Sequence, residues 1–275
     1  MGIDIQRWSK YFVLGLFAMM AGCGGSGGGG SSACSALNAK VFNGETCNQE
    51  ARSPVVALFP VTSDGNQFNA AGICTGTLIT LNRVLTSAHC FTTPIAEFGN
   101  RIVAFGAIVG GTNGEGIRVT GLAIHPLYRG AVGSPYDIAV AVLERTPNPP
   151  IGPVPLSLSE PTLVGDSVTT FGYGTSNQGE VGVLKAAELS VDGLSAGNLL
   201  ASISSSGASV CPGDSGGPLV KSIRGVTAMV GVNSFGRGAI EQCSEQGAQL
   251  SGFVDIQLPS VLDFIMRNAP DAAAQ

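Results

Sequence analysis

Short β-rich segments recur along the body of this chain with no amphipathic helix between them, and that spacing limits its fold more than any single motif does. They fall at 55–59, 102–109, 117–124, 138–143, 167–171, 183–191, 227–232 and 253–256, and several alternate apolar with polar residues as half-buried strands do. Parallel strands need a crossover of a dozen or more residues, usually helical, so the arrangement favours antiparallel barrels or sandwiches. One helix is expected, at 260–268, where Ser260 can cap, Asp263 follows three residues on, and Val261, Leu262 and Ile265 form an apolar stripe before Pro270. Residues 146–155 hold Pro147, Pro149, Pro150, Pro153 and Pro155, which reads as an extended connection dividing the body into two halves. Composition agrees: 40 glycines and 15 prolines punctuate a chain that is 44% hydrophobic but only 12% charged, against roughly 25% charged in an average domain. Disorder and a coiled coil are thereby excluded, and no repeat of 20 to 50 residues points to a solenoid or propeller. The net charge of -5 speaks against nucleic acid as a partner.

The first 22 residues have the order of an export signal: Arg7 and Lys10, then the apolar run 11–20, then small residues at Ala21 and Gly22. The run is too short to span a bilayer, which takes about 20 apolar residues. Met20-Ala21-Gly22-Cys23 resembles the bacterial lipobox, which implies lipidation of Cys23, loss of residues 1–22, and a durable membrane anchor from several acyl chains. Residues 24–32 are almost pure Gly and Ser, too poor in apolar side chains to pack, so 23–40 reads as a flexible tether and propeptide. The expected location is the cell envelope, at the outer membrane or cell surface if the organism has two membranes. Export also implies an oxidising compartment. Setting Cys23 aside leaves six of the 7 cysteines, an even number that can pair.

Three strings carry chemistry together: Leu85-Thr86-Ser87-Ala88-His89-Cys90, Tyr136-Asp137-Ile138-Ala139-Val140, and Cys211-Pro212-Gly213-Asp214-Ser215-Gly216-Gly217-Pro218. A serine hydroxyl becomes a useful nucleophile only beside a base, and a base imidazole needs a third group to hold its tautomer. These strings, in the order His, Asp, Ser, resemble the chymotrypsin-like (trypsin-like) serine endopeptidases, over a stretch from about Val41 to the C-terminal helix. The resemblance implies an all-β fold of two antiparallel six-stranded barrels, with the active site in the cleft between them, plus a C-terminal α-helix. The protease domain would run over 41–275, its first barrel at about 41–145 and its second at about 156–257. His89, Asp137 and Ser215 would be the catalytic residues, and the backbone N–H groups of Gly213 and Ser215 the oxyanion hole. His125, the other of 2 histidines, lies in Ile124-His125-Pro126-Leu127-Tyr128 and reads as structural.

The same resemblance implies disulfides between Cys74 and Cys90 and between Cys211 and Cys243. Parity leaves Cys34 and Cys47 as partners. Lys40-Val41 between them resembles an activation site, after which the new α-ammonium of Val41 would pair with the carboxylate of Asp214; a relative active without cleavage is the alternative. Six residues before the nucleophile, Ser209 would form the floor of the primary specificity pocket beside Val210, with Ser234, Phe235 and Gly236 as the edge that pairs with substrate backbone. The far wall maps near Ser251 or Gly252. A neutral floor offers no partner to Lys or Arg, so cleavage after Phe, Tyr, Leu or Met is expected. Protein or peptide substrates are the implied partners, together with the membrane through the lipid and no nucleic acid, for a monomer without cofactor. No metal site is expected, since the two histidines lie far apart and no Cys-x-x-Cys occurs. The rival reading is a binding or adhesion lipoprotein that keeps the fold without turnover.

Overall fold

The computed structural model describes residues 53–63, 68–110, 114–176, 179–202, 210–238 and 248–275. The signal, the tether, Cys23, Cys34, Lys40, Val41, Cys47, Ser209 and Cys243 lie outside the described residues.

The first half of the body forms β1 (Val55–Ser63), β2 (Phe68–Ala70), β3 (Cys74–Leu78), β4 (Arg83–Thr86), β5 (Ile102–Val109), β6 (Glu115–Ile124) and β7 (Ala139–Leu143). Six of these close a barrel in the order β1-β3-β4-β7-β6-β5, with β5 returning to pair with β1, and β2 is a short edge strand on β1. The second half forms β8 (Ser167–Gly172), β9 (Lys185–Ser195), β10 (Asn198–Ser202), β11 (Pro218–Ile223), β12 (Val226–Gly238) and β13 (Ala248–Asp255), closed as β10-β13-β12-β11-β8-β9. Every ladder between these strands is antiparallel. Two helices complete the fold, α1 (His89–Phe98) and α2 (Pro259–Asn268).

Strand periodicity explains how the barrels dock. In β1, Val56 and Leu58 point into the first barrel, while Val55 and Ala57 on the opposite face join a second core between the barrels. Val84 with Leu85, and Ala139 with Val140, divide in the same way. Both faces of these strands are therefore apolar, and the shared core also takes Val220, Met229, Val232 and Val254 from the second barrel. Helix α2 packs Val261, Phe264 and Ile265 into that same core. The C-terminal tail lies along the interbarrel connection: Leu156 N–H donates to Ala273 (2.8 Å) and Gln275 N–H to Leu156 (2.9 Å).

Two expectations about helices need correction. The C-terminal helix starts at Pro259, and its preceding residue Leu258 gives no side-chain cap, so Ser260 sits inside the first turn. Proline at the first helical position has its φ already set and no N–H to leave unpaired, which takes over the starting role. A second helix, α1, follows the histidine string directly; Pro94 inside it and its lack of an acidic first turn hid it from a pattern reading. Strands β3, β4, β10 and β11 were also beyond the period-two pattern, being four to six residues long.

Candidate active site

His89 is the first residue of α1, immediately after the β4 strand and Ser87-Ala88. That position faces Asp137, which lies at the end of the loop entering β7. One carboxylate oxygen of Asp137 accepts from the His89 backbone N–H (Oδ1, 2.9 Å); the other lies 2.7 Å from ring Nδ1. Oδ2 also accepts from Ser234 Oγ at 2.6 Å. Asp137 is fully buried, so a charge there depends on these three donors for its solvation. With Nδ1 directed at the carboxylate, Nε2 is the nitrogen left to face the cleft, and the His89 side chain is 13% exposed.

The support of Asp137 reaches across both barrels. Ser234 on β12 donates to Asp137 and accepts from Gly133 N–H at 2.9 Å, while Asn198 Nδ2 on β10 donates to Gly133 O at 3.0 Å. The loop that carries the aspartate is thus held by two strands of the opposite barrel.

Ser215 reaches the same cleft through backbone contacts made by Thr75. Thr75 N–H donates to Ser215 O (2.8 Å), and Thr75 Oγ1 donates to Gly213 O (2.8 Å) while accepting from Tyr173 N–H (3.0 Å). The Cys74–Cys90 disulfide links the start of β3 to α1, and Cys90 Sγ lies 3.6 Å from Ser215 O. The histidine turn and the serine loop are therefore neighbours. Ser87 Oγ (2.6 Å) and Gly216 N–H (2.8 Å) both donate to Asn233 O, closing the seam from the other side. Gly213 and Gly216 have φ of +100° and +84°, a region L side chains rarely adopt, and a Cβ on Gly216 would overlap Thr86 Oγ1 and Thr75 O.

Asp214 points away from the cleft into a slot formed by Gly172 and Gly174, where any Cβ would collide with its carboxylate. Its oxygens accept from Gly174 N–H and Cys211 N–H, each at 2.8 Å. Burial pushes its carboxyl up to about 6, against the pull of those two hydrogen bonds and of the Lys185 charge. Lys185 is itself buried, which lowers its pKa against the opposing charges of Asp214 and Glu180; its ammonium donates to Gly174 O and Glu180 O, both at 3.3 Å. Cys211 is disulfide-bonded.

His125 accepts from Leu127 N–H at Nδ1, faces Ser260 O with Nε2 at 3.2 Å, and stacks on Tyr136 with ring centres 4.8 Å apart. It joins the aspartate loop to helix α2, and burial lowers its pKa. Among the described residues, the group of potential metal-ligand types nearest the site is Cys74, His89 and Cys90, whose two sulfurs are bonded to each other. On β12, Phe235 lies over Gly252, with Gly133 against its ring, and Gly236 pairs with Ser251. Gly252 therefore makes room for the Phe235 ring, and Ser251 is the β13 residue opposite Gly236. Thr75, Asn198, Asn233 and Gly174 had no signal in the sequence, because each acts through partners distant along the chain.

Two closed barrels, with these groups drawn from both at their seam, define the chymotrypsin-type fold. The family model "Trypsin" matches residues 41–265, and the chain belongs to that family of serine endopeptidases. It is 28% identical over 243 residues to "Trypsin" of Saccharopolyspora erythraea, covering 80% of this chain and 98% of the relative. It is also 30% identical over 192 residues to "Trypsin 5G1" of Aedes aegypti, covering 63% of this chain and 68% of that one. The solved structure of "HL collagenase" superposes with a TM-score of 0.64 at 22% identity, over 84% of this chain and 99% of the other, a likeness of fold.

Proposed function

We propose that this serine endopeptidase works through His89, Asp137 and Ser215, is tethered to the envelope by lipid on Cys23, and cleaves after Phe, Tyr, Leu or Met. The observation that carries the catalytic reading is the grip of buried Asp137 on both the backbone and the ring of His89, with the Ser215 loop held against that turn. Ser215 Oγ attacks the scissile carbonyl carbon as its proton passes to His89 Nε2. The oxyanion is met by the N–H groups of Gly213 and Ser215, each such donor being worth about 2.7 to 4 kcal/mol. Collapse expels the amine, which takes the proton from His89, and water then hydrolyses the acyl-enzyme by the same route in reverse. Asp137 stays ionised throughout and stabilises the imidazolium.

Activation by cleavage after Lys40 is part of the same reading. It is supported by a family match that begins at residue 41 and by a desolvated Asp214 for which an α-ammonium would be a partner. A Cys34–Cys47 bridge would keep the anchor on the cleaved enzyme, and Cys211–Cys243 would brace the pocket. Among the described residues no helix is long and apolar enough to cross a membrane. The proposed attachment is the lipid on Cys23, for which the Met20-Ala21-Gly22-Cys23 string is the support. The enzyme is read as a monomer.

The test is fluorophosphonate labelling of precursor and Val41 form. Stoichiometric labelling, strongest in the Val41 form and abolished by Ser215→Ala, is expected; absence of labelling in both would favour a catalytically silent binding protein. For the anchor, Cys23→Ala should move the protein from the membrane fraction to the soluble one.

A further inference from the structure

Among the described side chains, Lys185 is the only lysine or arginine that the fold buries. It opens β9 on the strand face that carries Ala187, Leu189 and Val191 into the interior of the second barrel, where the pattern calls for an apolar residue. Its ammonium donates to the carbonyl oxygens of Gly174 and Glu180, each at 3.3 Å, rather than to a carboxylate. A buried cation held by two long hydrogen bonds is costly, so its place asks for a charge to complement.

That charge is the carboxylate of Asp214. Lys185 pairs directly across from Gly172, and Gly172 and Gly174 are the walls of the slot that holds the Asp214 side chain. One residue bridges the two groups: Gly174 gives its carbonyl to the ammonium and its N–H to Asp214 Oδ1, the latter at 2.8 Å. The peptide unit that accepts from Lys185 also carries the Thr175 N–H, which donates to Pro212 O at 3.0 Å. A cation on the oxygen of a peptide polarises it and strengthens the hydrogen bond its N–H gives. Lys185 therefore acts on the oxyanion loop at two points, Asp214 and Pro212. Gly213 between them packs so close to Gly174 that an added Cβ would lie 2.8 Å from its Cα. Burial raises the Asp214 carboxyl and lowers the Lys185 ammonium, and each opposes the other's shift, with Glu180 adding a smaller pull on Lys185.

We infer that Lys185 is a positioning residue: its buried ammonium is the counter-charge that keeps Asp214 in its slot while the chain is still joined at Lys40–Val41, so the uncut precursor holds a working oxyanion loop that depends on Lys185. The inference rests on the proposed reading of Ser215 as nucleophile and of Val41 as the residue whose α-ammonium reaches Asp214 on cleavage. Two cations then serve one carboxylate in turn. Before cleavage Lys185 acts alone, through Gly174; afterwards a direct partner takes over most of that work. Cleavage raises activity rather than creating it.

The experiment measures the rate of fluorophosphonate labelling at Ser215 in the precursor, kept uncut by Lys40→Gln, and in the Val41 form. Each is made with Lys185 and with Lys185→Gln, which keeps an N–H donor and removes the charge. With Lys185 in place, the precursor is expected to label measurably but more slowly than the Val41 form. Lys185→Gln should widen the gap between the two forms by about tenfold, as expected if loss of the counter-charge makes Asp214 ten times harder to ionise. A residue that merely packed would slow both forms alike and leave their ratio as it was. That result would overturn the inference, as would a precursor that does not label while the Val41 form does. A second readout needs no change at 185. The chain holds four lysines, Lys10, Lys40, Lys185 and Lys221, so 13C-labelled lysine reports the Lys185 ammonium directly. Its titration should move to lower pH on cleavage, as the new cation takes its share of Asp214; an unmoved titration ends the inference, and this readout decides alone if Lys185→Gln does not fold. Equal labelling of both forms, with and without Lys185, would remove the reading of Val41 itself, whereas a Val41 form faster by one unchanged factor removes Lys185 alone.

Discussion

A single carboxylate, Asp137, is where sequence and geometry meet most closely. Its string was legible because Tyr136-Asp137-Ile138-Ala139-Val140 is contiguous, as are the histidine and serine strings. Thr75 was not, since the carbonyl its hydroxyl serves lies 138 residues away, and Asn198 acts on a loop 65 residues upstream. Asp137→Asn should lower turnover by about 10⁴, a magnitude taken over from the family template. Ser234→Ala removes one charge-assisted hydrogen bond, worth about 1.5 to 3 kcal/mol, so kcat should fall roughly tenfold to a hundredfold in steady-state assays. Asp214 makes a prediction about pH. Its folded-state value, about 6, lies above the ordinary 3.8, so ionising it works against the fold; its favourable contribution is complete below about pH 4 and is lost as pH rises through 6. An α-ammonium beside it would offset that loss. The Tm of the Val41 form should therefore pull ahead of the precursor's between pH 4 and pH 7, and calorimetry showing a constant gap would count against Asp214 as its partner.

Elements show what short patterns conceal. The long strands β5, β6 and β9 were readable as runs of strand-forming residues; β1 carries apolar residues on both faces because it serves two cores, and helix α1 begins at His89 with no side-chain cap before it. The loop holding Ser215 is set by close backbone approach. Gly216→Ala should destabilise the protein by more than about 2 kcal/mol, through overlap with Thr86 and Thr75 as well as backbone strain. Gly130→Ala is the comparison: its φ is +83° but nothing lies within 4 Å of an added Cβ, so it should cost only the strain, about 1 kcal/mol. Thermal melts of the two variants separate crowding from conformation, and equal losses would refute the overlap. The Cys74–Cys90 bridge, with a separation of 16 residues, should be worth about 3 kcal/mol, so a double Cys→Ser variant should melt several degrees lower.

Over the whole molecule, the barrels repeat one strand order: first, second, third, sixth, fifth and fourth of each six, back to the first. That repetition is invisible as residue identity because it lives in connectivity, and any apolar side chains of suitable size satisfy it. The two barrels were nonetheless anticipated, from the family resemblance that the three strings carry, with the proline-rich connection dividing the chain so that His89 and Asp137 fall before it and Ser215 after. The hydrogen bonds from Ser87 to Asn233, from Thr75 to Ser215 and from Ser234 to Asp137 all cross from one barrel to the other. Hydrolysis is therefore a gauge of how firmly the two halves are clasped. In mild urea the enzyme should fall silent while its far-ultraviolet circular dichroism is still that of intact strands, because a slight parting of the seam scatters the reacting groups long before either barrel comes undone.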